Sequence, residues 1–245
     1  PPHGPDGLGV IFRAVNRGKR SIALDLKRQE SRPAFERILR TADVVVEGFR
    51  PGAARRLGID AASTERIRPD RIHVSITGYG QTGPLADRAG HDGNYQALSG
   101  ILAGTGPSGG PPVLPVLQVA DLAGGALTAL VGLLSAAYRR ERTGEGATLD
   151  ISMTEGALAL NILSWTLWQS GSGSPPPGGS VLTGLFPCYR LYRTGDDRYL
   201  SVCALEPKFW IALVSALELP ELAADPYGSD PSTAERLAAT IAAKP

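Results

Sequence analysis

Three side chains stand where this sequence could move a proton. His91 is one of only three histidines in 245 residues. It lies in Ala89-Gly90-His91-Asp92-Gly93-Asn94-Tyr95, at the predicted start of a helix. An imidazole titrates near neutral pH, so a histidine among glycines and beside an Asn-Tyr pair is equipped for general acid/base work. The same position suits a residue that caps a helix, and residue type alone leaves both roles open. Asp121, in Gln118-Val119-Ala120-Asp121-Leu122-Ala123-Gly124-Gly125, falls in the first turn of an apolar helix, where the helix field favours a carboxylate. Glu206, in Cys203-Ala204-Leu205-Glu206-Pro207, also opens a predicted helix. For both carboxylates the plain alternative is a helix-start role.

A second group of residues could hold an anion. Lys27, Arg50 in Glu47-Gly48-Phe49-Arg50-Pro51-Gly52, and Arg55-Arg56 follow successive predicted strands, the side on which open parallel sheets bind ligands. Arginine grips phosphate oxygens in pairs, although each of these charges also fits an ordinary solvated surface. The chain as a whole is nearly neutral, with 25 basic and 24 acidic residues, so no nucleic-acid partner is expected and any anion is met locally. Conventional dinucleotide, nucleoside triphosphate and metalloprotease fingerprints are missing. Cys188 and Cys203 are too few for a disulfide framework or a cysteine-rich metal site, and they suit a reducing, cytoplasmic setting.

The elements that must position these residues read as α/β. Ile22 to Leu26 is a predicted strand, followed by a helix from Ser31-Arg32-Pro33 to Arg40 with Ser31 as its cap. Asp43 to Glu47 is the next strand, then a short helix near Ala53 and the strand Ile72 to Ile76. A long helix from about Val119 to Arg140 follows. Its charge-free stretch Leu122 to Tyr138 falls short of a membrane span and reads as a buried helix. Ala147 to Met153 is a strand and Thr154 to Trp168 a helix. These elements predict a Rossmann-like open, mostly parallel sheet with helices on both faces over residues 1–169. Residues 170–181 are rich in glycine and proline and form a linker. Residues 182–245 begin a smaller α+β domain, with a hairpin over Tyr189–Tyr192 and Tyr199–Val202 and a helix over Pro207–Leu217.

Several separated motifs together resemble one family. Asn16-Arg17-Gly18-Lys19-Arg20-Ser21, Glu47-Gly48-Phe49-Arg50-Pro51-Gly52, Thr77-Gly78-Tyr79-Gly80-Gln81-Thr82-Gly83-Pro84 and Gly90-His91-Asp92-Gly93-Asn94-Tyr95 are similar to those of the family III CoA-transferases, the CaiB/BaiF family. The resemblance runs from residue 1 to about 225 and implies that a first strand and helix, and the end of the small domain, are lacking. It is strongest to the branch that racemises 2-methylacyl-CoA thioesters, whose members resemble this chain at His91, Asp121 and Glu206. Transferases of the family place a nucleophilic aspartate where Glu155 stands here.

The resemblance implies 1,1-proton transfer through an enolate, with His91 and Asp121 on opposite faces of the substrate and Glu206 orienting His91, from the partner subunit of an interlocked homodimer. It implies no metal and no separate cofactor: CoA arrives as part of the acyl-CoA substrate. Lys27, Arg50 and Arg56 are then expected near its phosphates and Tyr95 near the thioester, with backbone N–H groups around His91 and Asp92 facing the enolate oxygen. The alternative it implies is transfer of CoA between carboxylic acids through an anhydride at Glu155. Val116-Leu117-Gln118 and Leu182-Thr183-Gly184-Leu185-Phe186-Pro187 depart from the racemase pattern near the expected acyl pocket.

Overall fold

The structure is a computed structural model that describes residues 2–4, 6–173 and 175–244. Its centre is a parallel sheet of three strands in the order β1 (Val44–Glu47), β2 (Ile72–Thr77), β3 (Ala147–Ser152). Val44 pairs with Ile72, and Ile72 with Ala147, so β2 is bonded on both edges. That position explains its sequence: Ile72, His73 and Val74 are completely buried, and a strand covered on both faces carries a continuous run rather than an alternating one.

Alternation along β2 sorts its neighbours. Ile72 and Val74 pack against Ala129 and Ala136 of the long helix α6. His73 points to the other face and meets Thr64 of α4 (Ala61–Ile67). Between β1 and β2 run α3 (Ala53–Leu57) and α4; between β2 and β3 run α5 (Asp92–Leu98) and α6. Helix α6 spans Val119–Thr143, with a π-helical opening over Val119–Leu127 and regular α-helix from Thr128. Asp43, just before β1, accepts from Arg68 at 2.9 Å and from Arg140 at 3.1 Å, which fastens the last turn of α6 to the start of the sheet.

Helix α7 (Met153–Leu160) leaves β3 directly, with Ser152 Oγ accepting from the Glu155 N–H at 3.2 Å. It crosses the opening of α6 where Gly124 meets Gly156. A Cβ on Gly124 would lie 2.6 Å from the Met153 carbonyl oxygen and 2.7 Å from the Ala157 nitrogen, so only glycine permits this approach. The remaining described elements are α1 (Val10–Val15), α2 (Arg32–Thr41), α8 (Ile162–Leu167), the antiparallel pair β4 (Tyr189–Arg193) and β5 (Tyr199–Cys203), α9 (Pro207–Ala216) and α10 (Pro231–Ala242). From Cys188 onward a separate core forms around Trp210, Val214, Leu237 and Ile241. Within it the Trp210 indole donates to the Leu222 carbonyl at 2.9 Å.

Four expectations need correction. Ile22 to Leu26 forms no strand: it finds no neighbouring ladder, and Ile22 is exposed. Ser31 makes no side-chain cap to α2, because it sits in helical conformation within a short turn, Gln29–Ser31. The helix expected from Thr154 to Trp168 breaks at Asn161, whose side-chain amide donates to the Ser99 carbonyl at 3.0 Å. The long helix is not buried: Leu122, Leu127, Leu130, Val131, Leu134 and Tyr138 are exposed in the single chain. Only the stripe carrying Ala129 and Ala136 faces the sheet, since one sheet face can cover only one side of a helix. The whole helix, at 25 residues, is also long and apolar enough to cross a membrane, unlike the shorter stretch read from its sequence.

Candidate active site

The loops that leave β1 and β2 at their C-terminal ends border one cleft of about 360 Å³, into which Phe49, Arg50, Arg88, His91, Tyr95 and Met153 project. The first loop is shaped from inside. Glu47, only 7% exposed, accepts the Phe49 N–H at 2.8 Å, which turns Gly48-Phe49-Arg50 outward over the cleft. The second loop is held by Thr77 Oγ1, which accepts from the Gly80 N–H at 2.9 Å. Gly78, Gly80 and Gly83 follow β2 at Gly-x-Gly-x-x-Gly spacing, but the next helix begins only at Asp92, so no helix N-terminus meets those glycines.

Tyr95 closes the floor. Its ring meets Tyr79 edge-on with centroids 5.1 Å apart, and its hydroxyl donates to the Gly90 carbonyl at 2.7 Å. Burial raises its phenol above the usual range, helped by Tyr79 and by the negative field of Asp121.

His91 stands at the entry to α5. Its N–H donates to Asn94 Oδ1 at 3.0 Å, and its carbonyl accepts the Asn94 N–H at 2.8 Å. The helix-start reading of His91 is therefore right for its backbone, while the ring borders the cleft. Because the His91 N–H is committed to Asn94, it is not an available donor for an enolate oxygen, contrary to expectation.

The next residue joins two helices. Asp92 Oδ1 accepts the N–H of Ala120 at 2.8 Å and of Asp121 at 3.0 Å, and Oδ2 accepts from the fully buried Gln96 amide. This carboxylate pins the start of α6 to the start of α5 and so sets Asp121 beside His91. Burial raises the Asp121 carboxyl above its ordinary value, Asp92 raises it further, and the imidazole of His91 pulls the other way.

The other predicted residues are divided. Arg50 and Tyr95 share the His91 cleft, whereas Lys27 and Arg56 border a second hollow of about 670 Å³ with Arg28, Arg32 and Glu36. Glu206 lies apart from both: its carbonyl accepts from Phe209 at 2.9 Å and Trp210 at 3.1 Å at the head of α9, and no hydrogen bond or ion pair joins it to His91 among the described residues. Glu155 is exposed in the first turn of α7, and from that helix it is Met153 that reaches the cleft.

Sequence reasoning named Asp92 only for its backbone N–H and passed over its carboxylate, along with Arg88 and Tyr79. Asp92 was visible only as the neighbour of His91; nothing in its spacing announces partners 28 and 29 residues away.

Residues 1–244 match CoA-transferase family III. Over 205 residues the chain is 38% identical to alpha-methylacyl-CoA racemase of Homo sapiens, covering 84% of this chain and 54% of that protein. It is 37% identical over 236 residues to acetyl-CoA:oxalate CoA-transferase of Acetobacter aceti, covering 92% of this chain and 60% of that one. The chain thus spans little more than half the length of these relatives. A CaiB/BaiF family protein from Brucella suis has the same fold, with a TM-score of 0.78 at 29% identity over 94% of this chain and 62% of its own. Rv3272 from Mycobacterium tuberculosis superimposes with a TM-score of 0.75 at 26% identity, over 93% and 62%. Matched in sequence along nearly its full extent and in fold to solved members, this chain belongs to CoA-transferase family III, the CaiB/BaiF family.

Proposed function

We propose that this chain is an acyl-CoA racemase that inverts the α-carbon of 2-methylacyl-CoA thioesters by 1,1-proton transfer. The observation that supports the reading is the junction at Asp92, which ties the backbone of Asp121 to the residue after His91, so that the Asp121 carboxyl feels the His91 imidazole; His91 lines the cleft, and Asp121 stands behind it rather than among its lining residues. Inversion needs two groups, because a single fixed base returns the proton to the face it left. One of the pair removes the α-proton, leaving an enolate, and the other delivers a proton to the opposite face; the roles exchange with the other enantiomer. An Asp121 carboxyl raised above its ordinary value by burial and by Asp92 is suited to this, since it is a better proton acceptor than a free aspartate.

Arg50 and Arg88 supply positive charge at the cleft for the CoA moiety, and Lys27 and Arg56 supply it at the second hollow. Glu206 serves His91 from a partner subunit, since it does not reach His91 within one chain. The reading includes a cytoplasmic homodimer, with residues 1–169 as the CoA-binding domain and 182–245 as part of a smaller domain.

Incubation of a single-enantiomer 2-methylacyl-CoA in deuterated water tests the proposal. Racemisation with uptake of deuterium at the α-carbon, and with no acceptor acid present, is the expected result. Substitution His91→Ala should slow exchange by about 100-fold or more, the scale of a lost general base. Glu155→Gln should leave exchange largely intact. Turnover that requires a second carboxylic acid and vanishes in Glu155→Gln would replace this reading with CoA transfer.

A further inference from the structure

We infer that Asp92 is the positioning residue of the proton-transfer pair: its carboxylate, held by Gln96 of α5, takes the backbone N–H groups of Ala120 and Asp121 and so keeps the opening of α6 beside His91. The inference rests on the racemase reading of the cleft and extends it to a side chain outside the proposed acid/base residues.

The geometry has three parts. Oδ1 of Asp92 receives two N–H groups from the opening of α6, those of Ala120 and of Asp121 itself. The first four N–H groups of a helix have no partner within it, so a carboxylate brought from another element satisfies two at once. The opening of α6 is π-helical, and the Leu122 N–H returns to the Gln118 carbonyl at 2.9 Å. The direction in which Asp121 leaves this turn is therefore fixed by where Asp92 holds its backbone. Oδ2 is fixed in turn by Gln96, which is fully buried. Neither oxygen can move without breaking contacts in both helices.

The second effect is electrostatic. A carboxylate bonded to the backbone of Asp121 adds negative charge close to the Asp121 side chain, and like charge disfavours ionisation. The other titratable and charged groups around the pair are His91 and Tyr95 of α5, Tyr79 after β2, Arg88 on the loop before α5, and Glu155 at the head of α7. Of these, His91 opposes the effect, and Tyr95 feels the field of Asp121. Asp92 thus does two separable things, and substitutions can divide them.

Asp92→Asn keeps an oxygen to receive the two N–H groups and removes the charge. Asp92→Ala removes both. Carbon-13 NMR titration of the side-chain carboxyls, with the Asp121 signal assigned by its loss in Asp121→Asn, reads the charge effect without any turnover. The expected result is an Asp121 midpoint at lower pH in Asp92→Asn than in the wild type. In the racemase assay the acid limb of the pH profile should move the same way, with much of the rate retained, while Asp92→Ala should lose about 100-fold in exchange, the scale of misplacing a reacting group by an ångström. An unshifted Asp121 midpoint in a folded Asp92→Asn protein, or equal losses of rate in the two variants with no change in pH profile, overturns the inference. A wild-type protein that shows no α-proton exchange, but whose Asp121 midpoint still falls on Asp92→Asn, defeats the racemase reading and leaves the Asp92–Asp121 coupling standing.

Discussion

His73 is wholly buried in the central strand, with Nδ1 3.1 Å from Thr64 Oγ1 and, among the described residues, no hydrogen-bond partner for Nε2. Burial lowers its pKa, the adjoining guanidinium of Arg71 lowers it further, and Glu47 and Asp60 oppose them only in part. The folded state therefore favours the neutral ring, whereas the unfolded chain takes up a proton near pH 6.5. It follows that the stability held by the neutral ring is complete above that pH and is lost as pH falls below it. Urea unfolding at pH 7 and pH 5 should show a loss of at most about 1.4 kcal/mol per pH unit, the limit for one proton. The loss should be smaller in His73→Gln; equal pH slopes for the two proteins would exclude His73 as the group responsible. At this scale the sequence made the actors legible but not their connections. His91 and Asp121 were visible as acid/base candidates, because their residue types and helix-start positions are local properties, while their pairing came only from the family resemblance. Asp92 and His73 were not, because their roles depend on which atoms a distant segment brings to them. Glu206 was legible as a helix start, and among the described residues of one chain its backbone plays that role.

The elements that hold the site depend on a close crossing. Helix α7 reaches the opening of α6 only because Gly124 and Gly156 let the two backbones meet. A methyl on Gly124 would press on the Met153 carbonyl oxygen and the Ala157 nitrogen, which are main-chain atoms that cannot turn aside. Gly124→Ala should therefore cost about 1 to 3 kcal/mol, the usual scale of overpacking, despite alanine's better helix propensity. Denaturant melts would read the cost, and a neutral or stabilising result would mean that the helices can separate freely. Because this crossing also carries the turn bearing Asp121, α-proton exchange should fall more than stability alone explains. Strands β1, β2 and β3 were legible from their short β-branched runs, and the hairpin β4–β5 from its turn residues Gly195-Asp196-Asp197. Ile22 to Leu26 misled for the same reason that β1 did not: a short apolar segment becomes a strand only beside a ladder, and the pattern of one segment cannot report whether a neighbour exists. The break at Asn161 was hidden similarly, since it depends on the Ser99 carbonyl lying within reach.

In the whole molecule, the largest unresolved demand is the outer side of α6. Leu122, Leu127, Leu130, Val131, Leu134 and Tyr138 lie exposed along a helix whose opposite side is packed on the sheet. A row of this length is an apolar patch of the kind that marks an interface. The helix meets the length and composition of a membrane span, yet Ala129 and Ala136 are seated on β2 and Arg140 is tied to Asp43. Crossing a bilayer would break these contacts, and the charged run Arg139-Arg140-Glu141-Arg142 closes the apolar stretch. A second copy of the chain is a cover that leaves the sheet intact, and it would also give Glu206 a route to His91 from outside its own chain. Sedimentation equilibrium should then report the mass of two chains, and the double substitution Val131→Glu and Leu134→Glu should shift the population to one. Circular dichroism unchanged by the substitutions would show that the fold survives the separation. If dimerisation serves the site, exchange should become concentration-dependent in the variant, because only the paired fraction brings Glu206 to His91. A wild-type chain that sediments as a monomer and floats with phospholipid vesicles would instead assign the face to a membrane.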